Sequence, residues 1–106
     1  MTQADATVTG PTRAEIEALQ GAVLLEFGAN WCGHCQAARS LIDQWLASQS
    51  GVLRYVRIED GKGKRLGRQY AVKLWPTLIF LQDGVEQARI VRPVSLDDIA
   101  AAFAVR

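Results

Sequence analysis

Cysteine, proline, histidine and methionine are all scarce in this chain: of 106 residues, two are cysteine, three proline, one histidine and one methionine. Two cysteines exclude a small secreted domain stapled by several disulfides. One histidine beside them leaves a four-ligand zinc set incomplete. Charge of one sign is missing too, since 12 Lys and Arg face 11 Asp and Glu for a net charge of +1. No bulk field draws in nucleic acid or an anionic membrane surface. The longest stretch free of charged residues, Phe27 to Ala38, contains Gly, Asn and His. It falls well short of the roughly 18 apolar residues that a membrane-spanning helix needs. The first eleven residues hold no Lys, no Arg and no apolar segment, so they do not read as a secretory signal, and the expected location is the cytosol.

What is present suits one domain spanning residues 1–106, with 49% apolar residues for its core. Residues 1–10 are small and polar, either flexible or a short edge strand at Ala6 to Thr9. Thr12 and Glu15 form a capping-box pattern that predicts a helix ending near Gly21. Ala22 to Phe27 is a nearly continuous apolar run, the pattern of a central strand buried on both faces, with Glu26 set inside it. From Gly33, Ala37, Ala38, Leu41, Ile42, Trp45 and Leu46 recur at helical spacing as far as about Ser48. Val52 to Ile58 alternates as a strand, and the basic segment Gly61 to Arg65 leads into a short helix ending near Tyr70 and Ala71. Asp83 and Gly84, between the runs Thr77 to Leu81 and Val85 to Val91, predict a tight hairpin, because primed turns need positive φ. Ser95 caps a last helix running to about Ala104. The order implies an α/β fold: a parallel βαβ unit followed by a hairpin and a helix, giving a mixed sheet with helices on both faces.

The chemistry lies in Cys32 and Cys35, three residues apart at a predicted helix start. A disulfide there closes a very small loop and adds little stability by chain entropy, so a structural purpose is poorly served. Cys32 falls near unpaired backbone N–H groups and the positive end of the helix, which favour thiolate over thiol. Cys35, one turn further in, is expected to be more buried and to attack a mixed disulfide on Cys32, releasing the reduced substrate. His34 is either an exposed loop residue or a partial positive charge that further stabilises the Cys32 thiolate. Two inert core cysteines, or half of a metal site, are the alternatives.

Trp31-Cys32-Gly33-His34-Cys35 after Leu25-Glu26-Phe27, with Trp75-Pro76-Thr77 about forty residues later, resembles the thioredoxin family over roughly Ala22 to Ala104. Cys-Gly-His-Cys is similar to the active site of protein disulfide isomerase domains, whereas typical thioredoxins carry proline where His34 stands. The resemblance implies a thioredoxin fold and a protein-disulfide reductase that needs no metal or organic cofactor. Cys32 would attack, Cys35 resolve, and Gly33 and His34 complete the active-site turn. Pro76 would be a cis-proline that turns the backbone of residue 75 outward to pair with an extended substrate peptide, and Trp31 and Trp75 would form an apolar contact surface or pack in the core. Glu26 matches a buried acid beneath the cysteines whose pKa desolvation raises and which takes the Cys35 proton through a water, unless it is an exposed edge-strand glutamate. Arg57 falls where the family often has a lysine near that acid, and a register shift of two would substitute Tyr55.

Three departures stand out. Gly28 replaces a usual Trp or Tyr and Ser40 a helix-kinking proline, both expected to loosen local packing. Arg92-Pro93 replaces a glycine beside the cysteines and puts a bulky cation at the docking face. Arg54, Arg57, Lys62, Lys64, Arg65, Arg68 and Lys73 read as a solvated basic face, and no phosphate-binding loop is present. Trp45, Phe27, Phe80 and Phe103 fall on apolar faces and read as core. The partners expected are protein disulfides and a recycling reductase or oxidant, with no nucleic acid or membrane, and the chain is expected to be a monomer. Two other readings are an oxidase or isomerase of exported proteins, motivated by His34, and a non-catalytic adaptor, motivated by Gly28 and Arg92-Pro93.

Overall fold

The computed structural model describes residues 10–104; the strand expected at Ala6 to Thr9 lies outside them. Eight elements follow in order: α1 (Arg13–Glu17), β1 (Ala22–Gly28), α2 (Gly33–Ala47), β2 (Leu53–Glu59), α3 (Arg65–Gln69), β3 (Thr77–Gln82), β4 (Val85–Val91) and α4 (Leu96–Ala102). The four strands form one mixed sheet in the order β2-β1-β3-β4, with β1 parallel to β2 and antiparallel to β3, and β3 antiparallel to β4. The long connection through α2 permits the parallel pair, and the two-residue turn forces the antiparallel one.

Alternation along β1 divides the core in two. Val23, Leu25 and Phe27 pack with Ile16 of α1 and with Leu66 and Tyr70 from the α3 region, while Leu24 packs with Ala38, Ile42 and Trp45 of α2 and with Ile99 and Phe103 from the α4 region. Helices therefore cover both faces of the sheet. Trp45, Phe27, Phe80 and Phe103 are all buried. The basic side chains read as a solvated face are mostly exposed, although Arg57 also turns toward the strand beside it.

Capping chemistry places the helix starts where sequence predicts them. Thr12 and Glu15 complete a reciprocal capping box, and Ser95 accepts the Asp98 N–H at 3.1 Å. Asp83 and Gly84 turn with φ of 52° and 82°, both positive, as a type I′ hairpin requires. Two ends differ. α1 stops at Glu17 rather than near Gly21, because the chain must swing into β1 through Gly21, whose φ is 81° and whose N–H donates to the Asp83 carboxylate at 2.7 Å. α4 ends at Ala102, two residues before the expected Ala104, in a turn at Phe103 that drives this ring into the core beside Trp45.

Candidate functional site

Where β1 ends, Ala29 and Asn30 carry the chain to Cys32, which becomes the N-cap of α2. Its Sγ accepts the Cys35 backbone N–H at 3.2 Å, the contact that an oxygen makes in an ordinary cap. Both cysteines are free thiols; Cys32 is 6% exposed and Cys35 2%. Burial, followed by the hydrogen bond with Cys32, pushes the Cys35 thiol up from 9.0 to about 12, and the charges of Cys32 and Glu26 push the same way. Of the intervening pair, Gly33 and His34 are both exposed at the first turn of α2.

Gly28 and Ser40 do not loosen the packing. The space that a side chain at residue 28 would take is filled by the resolving thiol: a Cβ built on Gly28 would stand 2.7 Å from Cys35 Sγ. Ser40 is exposed, its Oγ accepts from Gln44 Nε2 at 3.1 Å, and α2 runs unbroken past it.

Glu26 lies on central strand β1 and is 2% exposed, so it is no edge-strand glutamate. Its carboxylate accepts a hydrogen bond from the Tyr55 hydroxyl and pairs with Arg57 Nε at 3.9 Å and with Arg39 Nη2 at 3.7 Å. Arg57 is the register partner of Glu26 on β2, and Tyr55, two residues earlier, projects to the same side. Both registers weighed from sequence therefore reach the acid. Burial, reinforced by the Glu26 charge and hydrogen bond, drives the Tyr55 phenol well above its ordinary range. Arg39 is a partner that sequence reasoning missed, although its position four residues after Cys35 on α2 puts it one turn along the same side. A cavity of about 270 Å³ lined by Ala29, Asn30, Cys35, Gln36, Arg39 and Arg57 opens here to solvent. Its lining includes the polar side chains of Asn30, Gln36, Arg39 and Arg57, and it is roomy enough for water beside the thiol.

On the other side the Trp75-Pro76 bond is cis. The Trp75 ring packs against Ala29 and the two cysteines, and its indole Nε1 donates to Asp60 Oδ2 at 3.0 Å. Asp60 was also missed; it follows β2 directly and donates its N–H to the Gly28 carbonyl at 2.7 Å, but no sequence motif marks it. Trp31 meets Trp75 edge-to-face at 5.4 Å and is itself 74% exposed, so its ring belongs to the surface rather than the core. Leu74 and Val94 add further exposed apolar area. Among the described residues, no three His, Cys, Asp or Glu side chains gather where they could hold a metal ion.

A mixed sheet with a Cys-x-x-Cys pair whose first sulfur caps one helix, and with Trp75 of a cis Trp75-Pro76 bond packed against the pair, marks the thiol-disulfide oxidoreductase class. The sequence matches the Thioredoxin family over residues 7–104, and the chain belongs to that family. The solved structure of thioredoxin 2 from Pseudomonas aeruginosa PAO1 in its reduced form shares 45% identity over 98% of this chain and 94% of that one, with a TM-score of 0.82. A second thioredoxin of Pseudomonas aeruginosa is 28% identical over 76% of this chain and 75% of its own length. Protein disulfide-isomerase A2 of Pongo abelii is 38% identical over 66 residues, 59% of this chain, which spans only 13% of that protein.

Proposed function

We propose that this chain reduces protein disulfides through Cys32 and Cys35, working in the cytosol as a monomer without metal or organic cofactor. The observation that carries the reading is the asymmetry of the pair. One sulfur caps the helix with a backbone N–H donating to it, and the other is a buried thiol held up to about 12. The Cys32 thiolate attacks one sulfur of the substrate disulfide, forming a mixed disulfide and expelling the first substrate thiolate. Cys35 then loses its proton to Glu26 through water in the adjoining cavity and attacks Cys32 Sγ. The second substrate thiol leaves and a Cys32–Cys35 disulfide remains, two electrons having passed to the substrate. An external dithiol reductant returns them.

Insulin reduction by dithiothreitol tests the reading directly: turnover is expected with the native protein and none with Cys32→Ser. A turnover equal to the uncatalysed rate would support an adaptor instead. Glu26→Gln should leave the first attack nearly unchanged and slow resolution about 100-fold, so that mixed disulfide accumulates in acid-quenched samples.

His34 between the cysteines, and the similarity to a protein disulfide isomerase, favour a second reading as an oxidase or isomerase of exported proteins. Equilibration with thiol buffers separates the two: about −270 mV fits a reductase and about −180 mV an isomerase.

A further inference from the structure

Disulfide exchange by itself leaves unexplained the cation beside the docking face. Arg92 is exposed, and its backbone sits at φ 52°. Its N–H donates to the Pro76 carbonyl at 2.9 Å and its side-chain Nε to the Trp75 carbonyl at 2.8 Å. Backbone and side chain thus tie the guanidinium to the cis-proline loop, and among the described residues no carboxylate pairs with it. Next to it opens a cavity of about 200 Å³ lined by His34, Ala37, Leu41, Arg92, Pro93 and Val94. Arg92 holds the Trp75 carbonyl, and the Trp75 ring packs against the two cysteines, so this cavity adjoins the cis-proline loop at the site. Of its lining residues His34 and Arg92 are polar, and Ala37, Leu41, Pro93 and Val94 are apolar.

We propose that this cavity is a subsite for an acidic side chain of the substrate, adjacent in the peptide to the cysteine that Cys32 attacks, and that Arg92 determines the preference. The proposal rests on the disulfide-exchange reading above. A glutamate suits the space: its methylenes lie on the apolar wall and its carboxylate accepts from the guanidinium. Because Arg92 is already anchored through Nε, little side-chain freedom is lost on binding. A lysine placed there meets like charge and is disfavoured.

The test uses synthetic peptide homodisulfides carrying Glu, Gln or Lys next to the cysteine, on either side of it. The reduced protein's rate with each is followed by tryptophan fluorescence and divided by the rate of dithiothreitol with the same peptide, which removes intrinsic leaving-group effects. In one of the two placements, the normalised rate for Glu should exceed that for Lys about fivefold. The ratio should fall toward unity in Arg92→Gly and in about 0.5 M salt. Glycine is at ease at φ 52°, and circular dichroism establishes that the variant folds. Equal normalised rates in the native protein, or a preference unchanged in Arg92→Gly, overturn the subsite while leaving disulfide reduction standing. Failure to reduce any of the peptides overturns both.

Discussion

Gly28 illustrates how one absent side chain serves the chemistry. With the added Cβ only 2.7 Å from Cys35 Sγ, Gly28→Ala must push the resolving thiol out of its seat. Overpacking of this kind costs about 1–3 kcal/mol, and a shifted urea midpoint is the expected readout. The same substitution in a Cys35→Ala background meets the Cys35 Cβ at 3.6 Å, an ordinary contact, so the penalty should vanish there or turn slightly favourable. A penalty of equal size in both backgrounds would mean that the thiol is not what fills the space. At this scale Cys32 and Cys35 are legible in the sequence through type and spacing and Glu26 as an acid inside an apolar run, whereas Pro76 is reached through the family resemblance. Arg39 and Asp60 are not, because each acts on a residue that only folding brings near: Arg39 on Glu26 of another element, and Asp60 on an indole 15 residues further along.

Elements here are fixed as much by their junctions as by their interiors. The β3–β4 hairpin is legible from Asp83 and Gly84, and its turn also lies against Glu17 at the end of α1. A Cβ on Gly84 would stand 2.2 Å from the Glu17 carbonyl oxygen, a backbone atom that cannot rotate away, and φ there is 82°. Gly84→Ala should therefore cost more than about 2 kcal/mol, measured by thermal unfolding. Asp83→Gly, which keeps the turn geometry but removes the acceptor of the Gly21 N–H, should cost about 1 kcal/mol. If the two costs came out alike, the close approach of α1 would carry no weight. The early stop of α1 has the same origin, since helical periodicity says nothing about where the next strand must enter the sheet.

For the molecule as a whole, three acidic groups, buried at Cys35 and Tyr70 and half-buried at Tyr55, favour their neutral forms: Cys35 is raised from 9.0 to about 12, and Tyr55 and Tyr70 are both raised from 10.0 mainly by burial. A group raised in the folded state contributes stability that is complete below its unfolded value and is lost as pH climbs through its folded value. The reduced protein should thus lose stability from about pH 9 upward, by about 1.4 kcal/mol per pH unit for each group between its two values. Chemical unfolding across that range checks this, and Cys35→Ala should flatten the first part of the decline. Tyr70→Phe should flatten the part above pH 10 with little cost at neutral pH, because the buried Tyr70 hydroxyl has no hydrogen-bond partner among the described residues.

The linear pattern of residues by itself determined the strand and helix order, the capped helix starts, the hairpin and the spacing that puts two sulfurs at the mouth of α2. Each of these depends on neighbours within a few positions of the chain, where periodicity, capping and turn chemistry operate. Tertiary structure alone decided that Glu26 is shared by Tyr55, Arg57 and Arg39, that Trp31 faces solvent while Trp75 leans on Asp60, and that Arg92 is tied to the Trp75 carbonyl. Those contacts join residues of different elements, and their distances follow from sheet register and helix packing, which no local stretch of sequence encodes.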